Sequence, residues 1–99
     1  MGKKLKTTRW DVTEHLQDEA DQAAYLQAMI DESGNDPTMI AVALGDIARA
    51  RGMTQVARDA GITREALYRA LSPDGNPSFA TVTKVLDALH LKIAVRAAG

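Results

Sequence analysis

The sequence predicts an all-α domain of about five to six helices built around a helix-turn-helix, with a short C-terminal β-strand. Three observations predict it. Apolar residues recur at helical spacing through most of the chain, in segments bounded by capping residues. Within Thr54–Leu71, TQVARDAGITREALYRAL, two short amphipathic segments meet at Gly61. Near the end, Leu91-Lys92-Ile93-Ala94-Val95-Arg96 alternates apolar with charged or small residues, the period of a strand.

The central pair comes first because the other elements are arranged about it. Gly61 accepts positive φ without a Cβ clash, so it ends one helix and redirects the chain. Thr63 is the expected N-cap of the next. Ala57 is small enough for close helix approach, and Val56, Ala60, Ile62, Leu67 and Ala70 are spaced to point inward. Gln55, Arg58, Arg64, Glu65, Tyr68 and Arg69 are left facing outward. In this pattern the second helix enters the major groove of DNA. The competing reading is an ordinary helical hairpin. Local charge favours DNA: between Arg49 and Leu71 five arginines face only Asp59 and Glu65.

The remaining elements follow in order. Residues 1–9 form a flexible basic arm, with Lys3, Lys4, Lys6 and Arg9 and no acid; a solvated tail and a DNA-contacting arm are both open. Order begins at Trp10, and residues 10–99 make one domain. Residues 10–36 are its acidic, helical part. A short helix opens at Thr13, and a second start lies at Asp18, with Asp21 at the third helical position. Ala23, Leu26 and Ile30, with Tyr25 and Met29 beside them, form the inward stripe, and Ser33-Gly34-Asn35 stops the helix. Residues 37–90 are the DNA-binding core. Asp36-Pro37 starts a helix cleanly, since proline's missing N–H costs nothing in the first turn. Ile40, Ala43, Leu44, Ile47, Ala48 and Ala50 supply its buried face, and Gly52 ends it. After the turn cluster Ser72–Pro77, Ser78 caps a helix through Val82, Val85, Leu86 and Leu89 that ends near His90. Residues 91–96 are the strand. Alone on a helical domain it has an unpaired edge, and pairing with its own copy in a homodimer through Leu91, Ile93 and Val95 is the expected remedy, against a frayed tail.

Composition limits the function classes. Ninety-nine residues with four aromatics make a single modest core of Ala, Leu, Ile and Val. No stretch approaches a membrane span or a signal-peptide core, which predicts a cytoplasmic protein with no membrane partner. Cysteine is absent, excluding disulfides and thiolate zinc sites. His15 and His90 lie in different elements, neither at metal-ligand spacing, so no metal or other cofactor is expected. Gly75-Asn76-Pro77 is a turn, since no phosphate-loop Gly-Lys-Ser/Thr follows, and no pocketed carboxylate pair is suggested; an enzyme is not expected. The net charge of −1 hides a segregation. Asp11 to Asp36 holds eight acids and no Lys or Arg, whereas from Pro37 on bases exceed acids by three. One part suits a polyanion and the other a cationic partner, unless the acidic helix is only a solvated face.

From Trp10 to about Val95 the chain resembles the HigA-like addiction-module antidote (antitoxin) family, whose members carry a phage-repressor-type helix-turn-helix. The resemblance rests on AAYLQAMIDES, ALGDIARARGMTQVARDAGITREALYRALS, GNPSFATVTKVLDAL and LKI in that order. It implies a repressor-like fold and a dimer that represses its own operon by binding a double-stranded DNA operator. It also implies tight binding to a RelE/ParE-like toxin encoded alongside. Carried over to matched positions, Arg64, Glu65, Tyr68 and Arg69 read base edges: arginine donates twice to guanine, and glutamate accepts from cytosine. Thr63 and the N–H groups beside it sit where a helix N-terminus meets phosphate. Asp18, Glu19, Asp21 and Tyr25 become candidate toxin contacts. Two positions depart from the family. Met53 stands where phage-type repressors often have a phosphate-clamping glutamine, which leaves Gln55 or Thr54 to serve. His90 replaces a usual helix-ending glycine, a change the fold should survive because histidine tolerates left-handed geometry better than a branched residue does. The alternatives are a stand-alone helix-turn-helix repressor without a toxin, and a protein-binding module that has lost DNA contact.

Overall fold

Side-chain caps mark where four of the five described helices begin, and left-handed residues mark where several of them stop. The computed structural model describes residues 16–98; the basic arm, Trp10 and the helix start at Thr13 lie outside the described residues. In helix α1 (Glu19–Ser33), the Asp18 carboxylate accepts from the Asp21 N–H at 2.8 Å, as the spacing predicts, and Gly34 ends the helix at φ 67°. In α2 (Pro37–Arg51), Asp36 accepts from the Thr38 N–H with Pro37 in the first turn, and Gly52 follows the last residue. Helix α3 (Met53–Ala60) runs into Gly61, and α4 (Arg64–Ala70) starts from Thr63. Helix α5 (Phe79–Ala88) starts from Ser78, whose hydroxyl accepts from the Thr81 N–H at 3.0 Å.

The end of α5 bears out the expectation for position 90. His90 sits at φ 61°, and the Leu91 N–H reaches back to the Leu86 carbonyl at 2.9 Å. That six-residue closure turns the chain away while satisfying a terminal carbonyl.

Helix α2 is the centre of the core. Ala43, Leu44, Ile47 and Ala48 are completely buried, and Ala41, Gly45 and Asp46 are buried around them, so solvent reaches little of its middle. Helix α1 packs on α2, and α3 packs on α2, α4 and α5. Leu67 of α4 and Val85 and Leu89 of the α5 region complete the interior. Burying each large aliphatic side chain stabilises by roughly 1.5–3 kcal/mol, against about 1 kcal/mol for a cap. Caps therefore place the helix boundaries, and the aliphatic core decides the arrangement.

The described residues are all-α, with five helices and no strand. The expected strand at 91–96 is corrected here: residues 91–98 have no regular secondary structure. A strand is a ladder between two segments, and among the described residues no second extended segment lies alongside to supply one. Leu91 is half-buried, whereas Ile93 and Val95 are exposed. Ala23, expected inside, is also exposed. No helix among the described residues is long and apolar enough to cross a membrane.

Candidate nucleic-acid interface

The turn between α3 and α4 is built from backbone. Gly61 adopts φ 75°, its N–H bonds the Arg58 carbonyl, and the Ile62 N–H bonds the Ala57 carbonyl at 3.0 Å. Half-buried Ile62 packs against the core just beyond the glycine, which fixes the exit direction. Thr63 then takes extended geometry, and its hydroxyl accepts from the Ala66 N–H at 3.0 Å. Its O–H proton remains to be donated outward.

Helix α4 is anchored on one side and open on the other. Leu67 is completely buried, while Arg64, Glu65, Tyr68 and Arg69 are all exposed. The Arg64 guanidinium lies 5.4 Å from the centre of the Tyr68 ring, within cation–π range. Tyr68, chiefly through a hydrogen bond, holds the Arg64 pKa above its ordinary value. Four residues that can donate, accept and stack thus share one solvent-facing surface.

The neighbouring helix supplies less than the spacing suggested. Met53 is buried in the core, which withdraws the clamp position from any ligand. Exposed Gln55 donates to Asp59 at 2.9 Å and accepts from Arg58 at 3.2 Å, so its amide is engaged along its own helix. Thr54 is exposed at the start of α3, where Gly52 provides no side-chain cap.

Two arginines counted toward the basic surface have inward duties. Arg49 donates to the buried Asp46 carboxylate at 2.6 Å. Arg51 donates to the Leu89 carbonyl at 2.8 Å, to Gln22 at 3.1 Å and to Glu19 at 3.3 Å. The outward cations are Arg58, Arg64 and Arg69 against Asp59 and Glu65, a much weaker excess than the local sequence suggests. What remains is concentrated on α4.

The acidic candidates are similarly committed. Asp18 is the α1 cap, and Glu19 accepts from Arg51 and contacts His90 Nδ1 at 2.7 Å; both remain exposed, as does Asp21. The Tyr25 hydroxyl donates to Asp46 at 2.6 Å, tying α1 to α2. Buried Gln22 was missed by sequence reasoning. It precedes Leu26 by one helical turn, and that spacing was the available clue. The dimer candidates Leu91, Ile93 and Val95 lie on the C-terminal segment, well away from α4 in the chain.

No solved structure matches the chain. An uncharacterised protein of Haemophilus influenzae is 54% identical over 87 residues, covering 88% of each chain. A family model described as "Probable addiction module antidote protein" matches residues 6–97, nearly the whole sequence. The chain therefore belongs to this family of addiction-module antidotes, proteins defined by pairing with a toxin.

Proposed function

We propose that the chain is the antitoxin of a type II toxin–antitoxin module. It neutralises a RelE/ParE-like toxin by direct binding and, as a homodimer, represses its own operon by sequence-specific DNA binding. The observation that carries the DNA reading is the surface of α4: Arg64, Glu65, Tyr68 and Arg69 face solvent on a helix whose other side is locked by Leu67. A short helix held in this way can enter a major groove without disturbing the core. Arg64 and Arg69 donate to guanine, Glu65 accepts from cytosine, and Thr63 with the adjacent backbone N–H groups holds phosphate. Thr54 and Gln55 border the same surface. The family description supports the toxin reading, and the exposed acids Asp18, Glu19 and Asp21 offer a cationic toxin a complementary face. Tyr25 contributes at most its ring edge there, since its hydroxyl is bound.

The test is co-expression with the protein encoded next to this chain, followed by pull-down, growth rescue and binding to the chain's own promoter. Complex formation, rescue and promoter binding are expected together. Arg64→Ala and Arg69→Ala should each weaken promoter binding by about 1–3 kcal/mol while leaving rescue intact. Promoter binding without a complex or rescue would leave a stand-alone repressor.

A further inference from the structure

Arg64 and Tyr68 lie one helical turn apart on the outward side of α4, at the i,i+4 spacing that brings side chains together. The Arg64 guanidinium carbon sits over the Tyr68 ring, 5.4 Å from its centre. Tyr68 is 43% exposed, so more than half of its surface is covered, and the neighbouring Leu67 is completely buried beneath the helix. The ring is therefore a supported platform. Arg69 is different. It is equally solvent-facing, but among the described residues no ring contact, side-chain hydrogen bond or ion pair holds its guanidinium. The two arginines of α4 thus meet a partner in different states, one already placed and one free.

We propose that Tyr68 is a positioning residue for Arg64: its ring holds the guanidinium where it selects a guanine of the operator, and Tyr68 does not itself read a base. The inference rests on the reading of α4 as the DNA-contacting helix and specifies how base choice is divided along it. An arginine side chain has many rotamers and loses that freedom when it is fixed against a partner. A contact that restricts it before DNA arrives removes part of that cost. The contact also leaves donors to spare, since a guanidinium has five N–H groups and a guanine takes two of them through O6 and N7. Tyr68 has a single hydroxyl and cannot make such a two-point contact. Guanine selectivity therefore sits on Arg64 and depends on Tyr68, whereas Arg69 is ordered only on contact and contributes independently of the ring.

The test is a pair of double-mutant cycles on the full-length chain, read as dissociation constants for a duplex of the chain's own promoter. Tyr68→Leu, Tyr68→Gln, Arg64→Ala and Arg69→Ala all change exposed positions, and thermal unfolding by circular dichroism verifies that each folds. Either Tyr68 variant should weaken binding about fivefold in the otherwise wild-type chain, the upper range for an exposed cation–π contact. With Arg64→Ala already present the same change should weaken it less than about twofold, and with Arg69→Ala present still about fivefold. Guanines of the duplex are then replaced one at a time by 7-deazaguanine, which lacks the N7 acceptor. The guanine whose replacement ceases to matter in Arg64→Ala should also matter less in Tyr68→Leu. Equal losses in all three backgrounds, or a different base pair relaxed by Tyr68→Leu, would make Tyr68 an independent contact and overturn the inference. Wild-type binding by both Tyr68 variants would overturn it too. Wild-type binding by Arg64→Ala and by Arg69→Ala would instead overturn the recognition-helix reading, and this inference with it.

Discussion

The Tyr25 hydroxyl donates to the Asp46 carboxylate at 2.6 Å across 21 residues, and Arg49 holds the other carboxylate oxygen at 2.6 Å. Asp46 is almost fully buried in the middle of α2. Its burial is tolerated because both carboxyl oxygens accept hydrogen bonds, and one of the donors comes from α1. The pair therefore couples the acidic helix to the helix at the centre of the core.

Tyr25→Phe should lower stability by about 1.5 kcal/mol, the lower end of the usual worth of a hydrogen bond to a charged group. In a domain of this size that corresponds to a melting shift of about 4–8 °C per kcal/mol. Thermal unfolding by circular dichroism measures it. An unchanged midpoint would mean the hydroxyl is no better bound in the folded chain than in water.

Arg51→Met should cost more, about 2–3 kcal/mol, because it strands the Leu89 carbonyl and the buried Gln22 amide together. Arg58→Ala, on the exposed face of α3, should change stability by no more than about 0.5 kcal/mol. Urea midpoints of the two variants, compared side by side, distinguish an internal arginine from a surface one. Equal midpoints would remove the structural role assigned to Arg51.

Gly75 is required by contact rather than by backbone angle. A Cβ built there would lie 2.4 Å from the Arg69 carbonyl oxygen and 2.5 Å from that of Ala70. Gly75→Ala must therefore push the end of α4 outward, at a cost of about 1–3 kcal/mol. Since Arg69 is displaced as well, promoter binding should weaken although residue 75 lies outside the proposed recognition surface of α4. Wild-type binding by a destabilised Gly75→Ala protein would show that the position of Arg69 does not matter for recognition.

The C-terminal segment is tethered by a pair of hydrogen bonds from Arg96 to Asp31, at 2.7 and 2.8 Å. Arg96, with Gln27 next in importance, holds the Asp31 carboxyl below its ordinary value of 3.8. A depressed carboxylate pKa means the contact contributes fully above the unfolded value and is lost as pH falls through the folded one. The tether is thus complete at neutral pH and released only in acid. Following the Asp31 carboxyl by NMR, Arg96→Ala should raise its titration midpoint toward 3.8. Identical titrations in the two proteins would show the tether to be absent in solution.

What the sequence determined by itself is the set of features that depend on a few consecutive residues. Asp18, Asp36, Thr63 and Ser78 cap the helices they precede, Gly61 turns the chain, and His90 takes the left-handed position. Each is settled by a backbone group within about a turn, so spacing reveals it. The outward set on α4 was legible for the same reason, because one buried residue, Leu67, orients a short helix. Only the tertiary structure decided the work of Gln22, Asp46, Arg49 and Arg51. Arg51 finds its partners 29 and 38 residues away, and nothing near it in the chain distinguishes it from Arg58. The same limit applies to 91–96. Alternation gives a segment the capacity to be a strand, but a ladder requires a second backbone, and the described residues provide none.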